Sequence, residues 1–136
     1  MTRALTLIGS NILTNVAQYA YAATAPADSR LIFLAGSCPL SEDGSTVSVG
    51  DYAGQAAKCL ENMTIALHEA GASLRDVINT RVLVASSNQT DLVSAWEVVR
   101  DAFGADSVPP STLLGVTVLG YDNQLVEVEA IAAVRD

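Results

Sequence analysis

Cations are scarce in this chain of 136 residues: seven Lys and Arg stand against fifteen Asp and Glu, for a formal net charge of −8. A nucleic-acid binder needs clustered Lys and Arg to displace the counterions of the phosphate backbone, so DNA and RNA are excluded as partners. Cysteine is scarcer still. Cys38 and Cys59 are the two present; with no CxxC or His-x-x-His spacing they argue against a metal site and a disulfide framework, and no cofactor is expected. No window holds the ~18 consecutive apolar residues of a membrane span, and the N-terminus lacks the apolar segment of a signal peptide. The expectation is a cytoplasmic protein that does not engage membranes. Repeats and low-complexity segments are missing too.

What the chain does have is apolar material. Half of its residues are hydrophobic and only 16% are charged, at a length near the mode for one domain. A single domain over residues 1–136 is expected, with apolar surface left over for self-association.

The most informative stretch is Val108 to Val134. Two apolar runs, Thr112 to Leu119 and Gln124 to Val134, flank the turn residues Gly120, Tyr121, Asp122 and Asn123, which reads as an antiparallel hairpin. In the second run Glu127 and Glu129 are two residues apart, so in a strand both carboxylates leave by one face and Val126 and Val128 by the other. Two carboxylates do not share a dry face cheaply. That face is either a solvated sheet surface or the border of a pocket or subunit boundary.

Upstream, Met1 to Val16 reads as a short strand or an ordered arm. Tyr19 to Ala25 alternates as a strand, Pro26 to Ser29 makes a turn, and Leu31 to Leu34 reads as a short, fully buried strand, the pair forming a first hairpin. Ser37 to Gly50, with Pro, Asp-Gly and several Ser, is a loop. Asp51 is the expected N-cap of a helix to about Ala70, with a stripe of Ala53, Ala56, Ala57, Leu60, Thr64 and Leu67 and Gly71 as its stop. Val77 to Ala85 is a strand with Asn79 and Arg81 on one face and Ile78, Thr80 and Val82 on the other. Thr90 or Asp91 is expected to cap a second helix through Ala102, whose core side is Leu92, Ala95, Trp96, Val99 and Phe103, with Gly104 after it. The order β-β-α-β-α-β-β predicts an α+β domain of two layers, with two helices on one face of a mixed sheet. The other face is most simply buried by a partner subunit.

The strings GQAAKCLENMTIALHEAGASLRDVINTRVLV (Gly54 to Val84), DLVSAWEVVRDAF (Asp91 to Phe103), VPPSTLLGV and LVEVEAIA resemble the RidA/YjgF family of enamine and imine deaminases over roughly Tyr19 to Val134. The resemblance implies a chorismate-mutase-like fold and a homotrimer with the sheets at its centre and three small-molecule clefts at the subunit interfaces. It implies that Glu127 orients or activates water near an imine carbon, the chemistry of a general base, and that Tyr19, Ser111, Thr112, Ala35, Cys38 and Trp96 line the cleft. Departures from the family pattern carry weight. Deaminating members hold the substrate carboxylate with an Arg in a Pro-x-Arg-Ser motif, a bidentate task suited to guanidinium; here the motif reads Pro109-Pro110-Ser111-Thr112. A hydroxyl cannot neutralise a carboxylate, and losing a charge-assisted pair forfeits ~1.5–3 kcal/mol, so an ordinary 2-imino acid does not fit. Ala35 stands where many members carry Ser, and Trp96 where many carry Asn; an indole suits a bulkier ligand, or is simply the core residue of its helix. Arg81 is the one cation placed to replace the missing Arg from another direction, the alternative being an ion pair with a neighbouring carboxylate. Cys38, with no evident base beside it, reads as inert. The reading is a water-dependent hydrolase of a reactive imine or enamine, with a non-catalytic, metabolite-binding trimer as the alternative.

Overall fold

The computed structural model describes residues 3–136; Met1 and Thr2, the start of the segment read as a strand or arm, lie outside the described residues. Two helices and two sheets make an α+β domain. Helix α1 (Tyr52–Glu69) starts where the Asp51 carboxylate accepts from Gly54 N at 2.9 Å, the side-chain cap that Asp supplies to an orphan backbone donor. It stops at Gly71, whose φ of +87° lets Ala72 N return to Leu67 O at 2.8 Å. Helix α2 (Gln89–Phe103) is capped by Asn88, which accepts from Thr90 N at 3.0 Å, so the cap precedes the expected Thr90 or Asp91. Asp91 instead accepts from the Ser86 hydroxyl.

The main sheet has the order β3-β6-β4-β5, with β3 at Arg30–Phe33, β4 at Val77–Ala85, β5 at Ser111–Val116 and β6 at Val126–Val134. Strands β4 and β5 are parallel, joined by the α2 crossover, and the other pairings are antiparallel. This overturns the expected last hairpin. A turn does form, with Gln124 N on Tyr121 O and Asn123 at φ +62°, but the segment from Thr117 to Leu125 carries the chain across β4 and does not fold back on β5. Strand β6, the more continuously apolar run, takes the central place where both of its edges are paired. The first hairpin is also replaced: β2 (Ala22–Thr24) pairs with β1 (Thr6–Ile8) in a separate two-stranded sheet, and β3 pairs with β6.

Both helices pack on one face of the main sheet. Val82, Val84, Val126 and Val128 are fully enclosed there, each burial contributing ~1.5–3 kcal/mol. Toward the sheet α1 presents Gln55, Ala56, Cys59, Leu60, Met63 and Leu67. The expected stripe is therefore rotated: Ala53, Ala57 and Thr64 are exposed, and Met63 and Leu67 provide bulk the Ala stripe lacks. A bulge between Val77 and Asn79 takes Ile78 out of the face of Thr80 and Val82 where the alternation had put it.

The helix-free face carries Glu127, Glu129, Arg81 and β3. Leu31 and Phe33 there are 52% and 70% exposed, so β3 alternates rather than being fully buried; Ile32 alone enters the core. No helix among the described residues is long and apolar enough to cross a membrane.

Candidate functional site

Glu127 lies half-buried on the helix-free face, opposite Leu83 in the β4 register. Its surroundings are set by a break in β3. The backbone stays paired to β6 through Leu34 N on Ala130 O, lifts off at Ala35 and Gly36, and pairs again where Ser37 and Val128 exchange hydrogen bonds of 2.7 and 3.0 Å. The Glu127 side chain lies over the lifted segment. A Cβ at Gly36 would stand 2.2 Å from Oε2, so a residue without one is what allows the carboxylate to lie there.

The two carboxylate oxygens are treated differently. Oε1 accepts from the Cys38 thiol at 3.3 Å and from Gln124 Nε2 at 3.2 Å. No hydrogen bond from the described residues reaches Oε2. Gln124 is itself 4% exposed and held by Tyr121 N on its Oε1 and by its own Nε2 on Val126 O.

Helix α1 secures both loops that make these contacts. Asn62 Nδ2 donates to Cys38 O at 2.9 Å and to Leu40 O at 3.0 Å. Two turns earlier on that helix, the fully buried Gln55 donates to Asn123 O at 2.9 Å and accepts from Leu125 N at 2.7 Å. Gln55 and Asn62 are seven residues apart, hence on one side of the helix. The carboxylate is thus held at one oxygen by groups tied to the core.

Burial, then the adjacent Glu127 carboxylate, push the Cys38 thiol up to about 11, with Gln124 pulling weakly the other way. The thiol therefore keeps its proton over the physiological range and donates to Glu127. Cys59 is buried deeper, its thiol raised further by burial.

The other residues implied by the resemblance are spread over the domain. Ala35 and Cys38 sit beside Glu127. Thr112 pairs with Arg81, which pairs with Glu129 in turn, so these share the helix-free face one row away. Arg81 Nη1 lies 3.2 Å from Glu129 Oε1; its charge is taken up there. Ser111 stands opposite Thr80 and Ala130 and so faces the helices, its hydroxyl donating to Pro109 O at 2.8 Å. Tyr19 packs edge-on against Trp96 at 6.2 Å between ring centroids. Trp96 is 6% exposed, part of the core, with its indole Nε1 unpartnered. Within one protomer Tyr19, Trp96 and Ser111 do not meet Glu127.

Gly36, Gln124, Gln55 and Asn62 were not singled out by sequence reasoning. Only Gly36 left a signal, as a glycine closing an apolar strand two residues before a cysteine. Among the described residues no cluster of three or more His, Cys, Asp or Glu could hold a metal ion.

Comparison with known proteins bears on the fold and the family. The family profile described as Endoribonuclease L-PSP matches residues 10–134. A RutC family protein of Pyrococcus abyssi is 37% identical over 101 residues, covering 74% of this chain and 76% of that protein. A solved structure from Mycobacterium tuberculosis, a member of the YjgF/YER057c/UK114 family, aligns over 96% of this chain and 99% of its own with 31% identity and a TM-score of 0.63. A conserved Rid family protein from Yersinia pestis matches the fold with a TM-score of 0.85 at 24% identity, over 96% and 99% of the two chains. The profile match over residues 10–134 and the relatives that share about a third of their residues over most of the chain lead to one conclusion: this protein belongs to the RidA/YjgF family, also described as Endoribonuclease L-PSP.

Proposed function

We propose that this protein is a homotrimer that hydrolyses a small reactive imine or enamine at clefts between protomers, with Glu127 as the general base. The observation that carries this reading is the asymmetric carboxylate: Oε1 is held by Cys38 and Gln124, and Oε2 has no partner among the described residues. A fixed carboxylate oxygen without a protein donor is suited to orient a water and take its proton. In the step, the water oxygen bonds to the C=N carbon as Oε2 takes a proton. That proton passes to nitrogen to give a carbinolamine; Oε2 then takes the hydroxyl proton and hands it to nitrogen as the C–N bond breaks and the carbonyl forms. The balance is one imine and one water consumed, one carbonyl compound and one ammonia formed.

The trimer rests on family resemblance and on Leu31 and Phe33, whose exposure on the helix-free face leaves apolar area that self-association would bury. The resemblance assigns Tyr19, Ser111 and Thr112 to the Glu127 cleft, and Tyr19 and Ser111, which do not meet Glu127 within one protomer, would line it only from a neighbouring protomer. With few cations, the chain has little to offer an RNA backbone.

The alternative of a non-catalytic binding trimer is favoured by Ser111, whose hydroxyl is already committed to Pro109 O and leaves no clamp for a substrate carboxylate. The experiment that decides is ammonia release from 2-aminoacrylate generated in place. Release that disappears in Glu127→Ala supports hydrolysis; release unchanged in Glu127→Ala refutes the assigned role. No release from this or from imines lacking a carboxylate, by a protein shown to be trimeric, favours binding alone.

A further inference from the structure

Among the described residues of one protomer, no cation stands beside Glu127 to balance its carboxylate. Cys38 is its nearest titratable neighbour and is neutral. Glu129, on the same face, is matched by Arg81. A neighbouring protomer of the same chain brings the same inventory, which can be counted. Of the seven Lys and Arg, Arg30, Lys58, Arg81, Arg100 and Arg135 are each in an ion pair with a carboxylate. Arg3 and Arg75 remain, and they lie together at the far end of the domain: Arg3 Nε donates to Arg75 O, and both line a hollow with His68, Gly71 and Val134, near the C-terminal end of β6. Glu127 is at the opposite, N-terminal end of that strand. Among the described residues of a protomer, no uncommitted guanidinium or ammonium therefore stands beside Glu127.

A ligand that carries a carboxylate into such a cleft meets like charge in a partly desolvated place, whereas a cation meets its counter-charge. We infer that, resting on the hydrolytic role proposed for Glu127, the substrate of this site is a cationic iminium, a protonated imine without a carboxylate, recognised by charge pairing with Glu127.

The chemistry is consistent with the residues present. A protonated imine is the more electrophilic form and brings its own proton on nitrogen, so no acid is required from the protein. Cys38, whose thiol keeps its proton, is not asked to give it up. One base suffices: Oε2 takes one proton of the attacking water and passes it to nitrogen, then takes the hydroxyl proton of the carbinolamine as the C–N bond breaks and the C=O bond forms, and yields that proton to the released ammonia. One iminium cation and one water are consumed, and one carbonyl compound and one ammonium ion are formed, so the positive charge leaves on nitrogen. The protein's net charge of −8 also draws cations toward it and repels anions.

Three isosteres of the same planar shape test the charge directly without any turnover: benzamidinium, benzamide and benzoate. Binding of each to the intact protein is measured by NMR shift perturbation at low ionic strength, for the unaltered chain and for Glu127→Gln, with thermal melting to verify that the variant is folded. The expected order is benzamidinium, then benzamide, then benzoate. The cation should bind at least tenfold tighter than the anion, the ratio should shrink with added salt, and it should fall by most of its value in Glu127→Gln. Benzoate binding as well as benzamidinium, a preference that survives Glu127→Gln, or no difference among the three at millimolar concentration overturns the inference. Ammonia release is scored separately. Cation preference without hydrolysis of any imine sinks the enzyme reading and leaves the charge assignment standing; hydrolysis of 2-aminoacrylate with no cation preference does the reverse.

Discussion

Replacing Gly36 with Ala probes the seat of Glu127 more directly than altering Glu127 itself. The glycine is not in the left-handed region, so an alanine adds no backbone strain, and the whole cost falls on what its Cβ meets. That is Glu127, with Oε2 at 2.2 Å, Cδ at 2.7 Å and Cγ at 3.0 Å. The carboxylate must swing away, and its hydrogen bond from Gln124 Nε2, already 3.2 Å long, does not survive the move. A hydrogen bond to a charged group contributes ~1.5–3 kcal/mol. Gln124 keeps one N–H on Val126 O but its second is left without an acceptor, and about 2 kcal/mol is expected. Urea unfolding at fixed protein concentration should show it as a lower midpoint with an unchanged slope. The decisive measurement is the double-mutant cycle. In a Glu127→Ala background the clash partner is gone and Gly36→Ala should cost no more than about 0.5 kcal/mol, a coupling of about 1.5 kcal/mol between the positions. An equal cost in both backgrounds would refute the claim that Gly36 is a glycine because of Glu127.

Gln55→Leu should destabilise the fold by ~2–4 kcal/mol, because Leu125 N and Asn123 O are both left without their partner; a loss under about 1 kcal/mol in urea unfolding counts against the anchoring role. Trp96→Phe should cost less than about 1 kcal/mol, since the indole N–H it removes has no partner, while Trp96→Ala should cost ~3–5 kcal/mol in the same assay; similar losses for the two would contradict this. For Cys38 the folded value of about 11 is above the ordinary value of 9.0. The unfolded thiol therefore gives up its proton first as pH rises, and the contribution to stability is complete below about 9 and lost between 9 and 11. Unfolding free energy measured against pH should fall over that window by less in Cys38→Ala than in the unaltered protein, and Cys38 should resist alkylation until the upper part of it. Ser111→Arg, in a trimer, restores a guanidinium to the motif; ammonia release from 2-aminoacrylate should rise at least tenfold over the unaltered chain, and no rise would separate this position from the cleft.

Local order was legible in the chain. Asp51 and Gly71 bound a helix because a carboxylate satisfies the first free amides and a glycine takes the positive φ that ends the last turn. The alternation through Val126 to Glu129 placed both carboxylates on one face, which holds in β6. The family strings indicated the fold class and pointed to Glu127. Strand partners were another matter. Two apolar runs on either side of a turn look alike whether they pair with each other or with a third strand, and only packing put β6 between β3 and β4 and sent β5 to the far edge. The same holds for the holders of Glu127. Gln124, Cys38, Gly36, Asn62 and Gln55 come from a turn, a broken strand and a helix, and between Gln55 and Glu127 the chain runs seventy-two positions. Nothing in their spacing announces that they converge, because a hydrogen bond across such a distance exists only once the core has closed. Composition and periodicity determined that this chain would be an acidic α+β domain with one sheet face uncovered; the tertiary fold decided which carboxylate oxygen is held, which is without a partner, and that among the described residues of the protomer no positive charge stands beside it.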